Sequence, residues 1–241
     1  MTRIETPRGV LEIRELHGKA TPSPNLPGSM DRPIYLKRKQ AMNIKPITLS
    51  GQIVRLEPLT LAHTPDLAEA GKDKSIWKYM RYDVIDSEPK MREFVEDLLE
   101  FQARGTDLPF AVIDQATGKA IGMTRYMDIQ PWNRALEIGG TWYGVRYQHT
   151  GVNTECKFLL LRYAFEVLDC LRVQIKTDLR NERSQKAIER IGAVREGVLR
   201  DHMILPDGTV RSSVYYSILA REWPDVRQRL SEMMNRDYKE V

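Results

Sequence analysis

The spacing of hydrophobic positions along this chain changes several times, and each change marks an element. From Gln52 to Leu59 apolar and polar residues alternate as in a half-buried strand; Thr60 then leads into Leu61-Ala62 and Asp66 to Ala70, a short helix ending near Gly71. Met91, Phe94, Val95, Leu98 and Phe101 recur at helical spacing behind Ser87 as cap and Pro89 in the first turn, with Gly105 closing the helix. Pro109 to Ile113 and Ala120 to Ile129 predict a hairpin about Asp114 to Gly118. Leu136 to Tyr143 predicts a strand carrying Gly139-Gly140 in its middle. A long helix is expected from Thr154 to about Leu168, with Glu155, Arg162 and Glu166 on one narrow stripe and the rest of its circumference buried. Arg172 to Thr177 predicts a strand and Ser184 to Ile191 a helix ended by Gly192. Ala193 to Ile204 and Val210 to Ala220 predict two strands joined across Pro206-Asp207-Gly208, and residues 221 to 241 a short, partly frayed terminal helix.

The resulting order, β α α β β β α β α β β, places one crossover helix between neighbouring strands and ends in a hairpin. That is an α/β chain with a mixed sheet and helices on both faces. Residues 1 to 45 show no sustained period, and Thr21 to Ser29 has linker composition. The expected organisation is therefore a poorly ordered extension over 1 to 45, a single domain over 46 to 230 and a tail over 231 to 241. Gly28-Ser29-Met30 is compatible with a remnant of cloning, and Met42 with a natural start.

Composition alters this picture in two respects. Net charge is +4, but residues 1 to 45 hold nine basic groups against four acidic ones, leaving 28 basic and 29 acidic groups beyond them. The pI near 9.0 therefore describes the extension, and nothing in it licenses a nucleic-acid surface on the domain. Lys37-Arg38-Lys39 reads as a solvated charge run in preference to an arm that touches RNA. In addition, no apolar run approaches the roughly 18 residues of a membrane span, and the N-terminus lacks the apolar centre of a secretory signal. The expectation is a cytoplasmic protein with no membrane partner. Cys156 and Cys170, about 21 Å apart along one helix at 1.5 Å per residue, cannot pair. His17, His63 and His202 have no metal-ligand spacing, so no metal is expected.

The candidate chemistry gathers at Tyr147-Gln148-His149-Thr150-Gly151-Val152-Asn153-Thr154, a polar turn that runs into the long helix. A helix start leaves backbone N–H groups unpaired where the macrodipole favours negative charge, which makes a phosphate site. The turn lacks the Gly-Lys-Ser/Thr of a P-loop and the Gly-x-Gly-x-x-Gly of a dinucleotide fold. It resembles the pyrophosphate loop of the Gcn5-related N-acetyltransferases, whose pattern is Arg/Gln-x-x-Gly-x-Gly/Ala and whose ligand is acetyl-coenzyme A. Gln148 and Gly151 match that pattern, while Asn153 stands where a small residue is expected. The element order is also that of the N-acetyltransferase fold, over about Ile47 to Leu230, and it puts this turn after the fourth strand.

The resemblance implies acetyl-CoA as cosubstrate, with its pyrophosphate on Gln148, His149, Thr150, Gly151, Val152, Asn153 and Thr154. The pantetheine arm would add to a strand edge at Gly139, where the glycine pair with Gly140 suits a bulge that splays the strand from its neighbour, or else only a mildly weakened strand. Leu136-Glu137-Ile138-Gly139 resembles the Glu-Ile-Gly of the branch that acetylates ribosomal-protein N-termini, which implies Glu137 as general base; without that likeness Glu137 reads as an outward, solvated strand carboxylate. Asn181-Glu182-Arg183-Ser184 resembles the same branch's Asn-x-x-Ser, implying Asn181 on the pantetheine arm and Ser184 near the sulfur. Ser184 also suits the N-cap of the following helix, and Ile188 stands where many family members carry a tyrosine acid. Trp77, Tyr79, Met80 and Tyr82 fall where this fold sets its acceptor wall, or else belong to the core. Two readings stay open. One is transfer of acetyl from acetyl-CoA to a primary amine of a small molecule or protein N-terminus; the other is a non-catalytic module of the same fold that senses acetyl-CoA or docks on the ribosome or RNA. Whether the chain forms a homodimer is left open.

Overall fold

The computed structural model describes residues 2–6, 9–13 and 42–237. It divides into two units, residues 1–38 and 39–241. In the first, strands β1 (Thr2–Thr6) and β2 (Gly9–Ile13) pair antiparallel, where the hydrophobic pattern gave no strand. The expected linker at 21 to 29 and the Lys37 to Lys39 run lie outside the described residues.

The second unit follows the order β3 (Leu49–Ser50), β4 (Val54–Pro58), α1 (Thr64–Ala70), α2 (Glu88–Ala103), β5 (Leu108–Asp114), β6 (Ala120–Gln130), β7 (Ala135–Tyr143), α3 (Gly151–Glu166), β8 (Arg172–Asp178), α4 (Glu182–Arg190), β9 (Val194–Ile204), β10 (Val210–Leu219) and α5 (Trp223–Asp237). Eight strands form one sheet in the order β3-β4-β5-β6-β7-β8-β10-β9. Every pair is antiparallel except β7 with β8. Among the described residues no helix is long and apolar enough to cross a membrane.

Helices cover both faces, as the alternation on β5 makes plain. Leu108, Phe110 and Val112 join the core beneath α3, α4 and α5, whereas Ala111 and Ile113 join a second core beneath α1 and α2. α2 buries Met91, Phe94, Val95 and Leu98, the expected face, with Phe101 only half-buried. α5 extends through residues set aside as tail, because Leu230, Met233 and Met234 continue the apolar face begun by Trp223 and Val226. The core also reaches earlier than residue 46: Met42 is buried and its amide donates to the Pro131 carbonyl.

Two expectations about helices are corrected. α3 starts at Gly151, with Thr150 as N-cap, so Gly151 to Thr154 form its first turn and not a loop ahead of it. Glu155 is not on the solvent stripe with Arg162 and Glu166. It is buried, and its carboxylate accepts the amides of Gln52, Ile53 and Val54 at 2.5, 2.9 and 2.8 Å, satisfying the tight turn between β3 and β4. Gly51 is required there, since a Cβ would stand 2.2 Å from the Glu155 carboxyl carbon.

Candidate active site

The parallel pair β7 and β8 stays in register only from Ala135 opposite Arg172 to Glu137 opposite Gln174. Beyond it the strands part, while β8 remains paired with β10 through Asp178. The cause lies in β7, where Gly140 and Thr141 together face Thr124 of β6, a bulge with Gly140 at φ +57°. From Ile138 onward the β7 edge has no strand partner on the β8 side among the described residues. A cleft of about 1220 Å³ occupies this opening, between the α3 and α4 starts and the chain segment from Ser75 to Tyr82.

Side chains from both halves of the sheet converge on it. Glu137 is 1% exposed, so the solvated-carboxylate reading does not hold. Its Oε2 accepts from Lys176 Nζ at 2.7 Å and Gln174 Nε2 at 2.8 Å, both on β8. Its Oε1 lies 2.9 Å from where a Cβ on Gly139 would stand, with Met127 Sδ at 2.6 Å from the same point, so a side chain at 139 would displace Met127 and the Glu137 carboxylate. Arg125, fully buried on β6, ion-pairs Asp107 at 3.1 Å and donates to the Tyr82 hydroxyl. Arg211 of β10 donates from Nε to Ser213 at 3.0 Å and from Nη1 to the Tyr79 carbonyl at 3.1 Å, reaching the Ser75 to Tyr82 segment from the far side of the opening.

The expected coenzyme residues divide by the face they occupy. Gln148, His149, Thr150, Gly151 and Asn153 line the cleft, with Gly139 and Asn181, whereas Val152 and Thr154 turn inward. Val152 is core, and the buried Thr154 hydroxyl accepts from Arg190 at 3.1 Å, so these two offer the cleft only backbone. The N–H groups from Thr150 to Asn153 have no carbonyl one turn earlier, and Thr150 Oγ1 caps only that of Val152, at 3.3 Å. His149 reaches φ +62° to make the turn. Gln148 is tied on both ends, donating to the Tyr143 carbonyl at 3.1 Å and accepting from Arg183 at 2.7 Å. The Asn153 side chain accepts from Tyr143 at 3.3 Å, which accounts for a larger residue at that position.

Ser184 is not the cap of α4. That role belongs to Asn181, whose side-chain oxygen accepts the Ser184 amide at 3.1 Å, so the Ser184 hydroxyl faces the cleft free of capping duty. The aromatic segment is split: Trp77 is core, packed on Phe94 and Trp142, while Tyr79, Met80 and Tyr82 line the cleft. Both cysteines are free and buried, and burial pushes each thiol up to about 12, which leaves them inert.

Sequence reasoning missed Lys157, Lys176, Arg125 and Arg211. Lys157 sits inside the apolar run of α3, 5% exposed, and its ammonium donates to Thr141 Oγ1 at 2.9 Å beside the bulge; burial depresses it to about 8. For Arg125 and Arg211 the available signal was a lone cation in its strand. Ten lysines and arginines line the cleft against two glutamates, Glu137 and Glu182.

Residues 54–194 match the family model described as the acetyltransferase (GNAT) domain, which spans the bulged strand, the α3 turn and α4. The chain belongs to the GNAT acetyltransferase family. It is 38% identical over 106 residues, 44% of its length and 57% of the relative's, to a Bacillus subtilis (strain 168) protein provisionally named ribosomal N-acetyltransferase YdaF. The match thus spans a little over half of that relative. A solved acetyltransferase structure from T. thermophilus is 40% identical, covering 80% of this chain and 99% of that one at a TM-score of 0.73. RimJ of Mycobacterium smegmatis, solved in complex with CoA-disulfide, shares the fold at 20% identity and a TM-score of 0.67, over 78% and 95% of the two chains. The family model and these relatives indicate an N-acetyltransferase.

Proposed function

We propose that this N-acetyltransferase moves the acetyl group of acetyl-CoA to a primary amine, with both substrates bound together and Glu137 as general base. One observation carries the reading: a splayed strand edge, an open helix N-terminus and a buried carboxylate meet in a single cleft. The coenzyme fits these groups in order. Pyrophosphate suits the N–H groups at the start of α3, and the amides of the pantetheine arm suit the unpartnered β7 edge, joining it as an extra strand would. Gly139 and Gly140 line the cleft along that edge. When bound, acetyl-CoA supplies an activated acyl group whose thiol can leave. The coenzyme bound by M. smegmatis RimJ supports the same ligand here.

This chain's residues divide the remaining work. An α-amine of pKa about 8, or a lysine of about 10, is mostly protonated at neutral pH. Glu137, fixed by Lys176 and Gln174 through Oε2, takes that proton directly or through a water. A free backbone N–H on the splayed part of β7 serves the acetyl carbonyl. The Asn181 amide nitrogen, left over from capping, holds the arm, and the Ser184 hydroxyl stands by for the sulfur. The name of the B. subtilis relative supports a protein N-terminus as acceptor, with a small-molecule amine as the other source. The test is thiol release from acetyl-CoA across a panel of peptides and small amines. Release that depends on an added amine is expected; none with any amine in the presence of bound acetyl-CoA would sink the proposal.

A further inference from the structure

The cations of the cleft are unevenly satisfied. Lys176 is paired with Glu137, Arg125 with Asp107 and Arg180 with Asp178. Arg211 is 8% exposed and lines the cleft, yet no carboxylate lies within 4 Å of it among the described residues. Its two hydrogen bonds go to neutral acceptors, the Ser213 hydroxyl and the Tyr79 carbonyl. A guanidinium with five donors is costly to bury without an anion, so a partner from outside the chain is indicated. Desolvation works against its charge, as does Arg180, and the more distant carboxylates of Asp178 and Glu137, with Tyr215, oppose that without outweighing it. Lys78 and Arg81, exposed on the adjoining segment, also have no ion pair among the described residues.

These cations are separate from those at the phosphate turn. Arg183 bonds Gln148 and Arg190 bonds Thr154, at the start of α3. Arg211 instead holds the Tyr79 segment and lies within the electrostatic reach of Glu137. A simple alkylammonium approaching Glu137 meets a carboxylate already neutralised by Lys176, and an excess of positive charge around it. Resting on the amine-acetylation reading above, we propose that the acceptor carries a carboxylate close to its reacting amine, and that Arg211, with Lys78 and Arg81 at the mouth, receives it. The amine then faces Glu137 and the carboxylate faces Arg211, so the acceptor brings the missing anion and cancels the repulsion against its ammonium. Two acceptors have this chemistry: a free amino acid, through its α-carboxylate, and a peptide N-terminus followed by Asp or Glu.

Paired acceptors test this with the full-length protein. The peptides Ala-Glu-Ala-amide and Ala-Gln-Ala-amide differ only in the second side chain, and glycine and glycinamide differ only in the α-carboxylate, with rates taken per free amine. At least about a tenfold preference in kcat/KM is expected for the anionic member of one pair, the lower end for a hydrogen bond to a charged group. Which pair shows it identifies the source. Arg211→Gln should bring that ratio towards one by raising KM for the anionic acceptor more than for its neutral partner, whatever loss the two share. If Arg211 only anchors the Tyr79 segment, both members lose equally and the ratio stands, which overturns the proposal. Should Arg211→Gln not fold, the surface pair Lys78→Ser/Arg81→Ser must lower the ratio and its salt dependence. Equal rates within both pairs in the unaltered enzyme also overturn the proposal and leave the amine reading intact, whereas no turnover with any amine overturns both.

Discussion

Glu137 is at once half of a buried ion pair and the candidate base, and the two roles have separable signatures. Glu137→Gln keeps the shape and can still accept from Lys176, but it cannot take an ammonium proton. We expect kcat/KM for an amine to fall by roughly 10² to 10⁴ with acetyl-CoA affinity nearly unchanged. The variant's rate should go on rising with pH towards the amine's own pKa. A wild-type rate across pH 6 to 9 would remove Glu137 from the chemistry. Lys157 gives a second prediction, of stability and not rate. Its ammonium is held near 8 in the fold against about 10.5 for an exposed lysine. Between those values only the unfolded chain binds the proton, so this group's contribution to stability rises with pH across the window; below about 8 its buried charge is a constant penalty. Subtracting the denaturant-derived stability of Lys157→Met from that of the unaltered protein should reveal that rise from pH 8 to 10.5. The subtraction is needed because the Cys156 thiol, raised to about 12, pulls the other way above pH 9. A flat difference would place Lys157 in water.

α3 is the element on which ligand and fold depend together. Its first turn presents N–H groups to the cleft, and its flank carries Glu155 to the β3 to β4 turn. Acetyl-CoA should stabilise the folded protein by about 2.7 kcal/mol at a hundredfold excess over Kd. Gly151→Val should abolish most of that shift, because a β-branched side chain at the first helical position crowds the backbone that phosphate must approach. A full ligand-induced rise in Tm in that variant would mean that the coenzyme binds elsewhere. The start of α3 was misplaced by three residues because Gly151 and Asn153 are poor helix formers, and only the Thr150 cap and the packing of Val152 commit them to the helix. The cap role that Ser184 also suits rests on the same kind of local signal. Asn181, three residues earlier, satisfies the amide first.

For the molecule as a whole, we propose that the catalytic unit is independent of the first 41 residues. A chain shortened to begin at Met42 should fold with an unchanged Tm and acetylate small amines at the full rate, whereas one beginning at Ile47 should lose stability. The reason is that Met42 is buried against Cys170 and Ile44 packs on the same core, and the shorter chain lacks both. Melting curves of the two decide it; unfolding of the longer one would make the N-terminal hairpin part of the domain. Strand alternation, the helix periods and the glycine pair in β7 were legible in sequence, because each is a local consequence of which positions are apolar and which need positive φ. Family likeness more than chemistry singled out the α3 turn and Glu137, which the fold places in one cleft. Charge was not legible. Beyond residue 45 the basic and acidic groups almost cancel, and linear order says nothing of which meet. Only the tertiary structure sends most acidic groups elsewhere and brings ten cations from α3, α4, three strands and two connecting segments to one cleft, some paired and Arg211 not. Glu137 and Lys176, 39 residues apart in sequence, meet only once the sheet is assembled, since charge–charge attraction acts through space and carries no period along the chain.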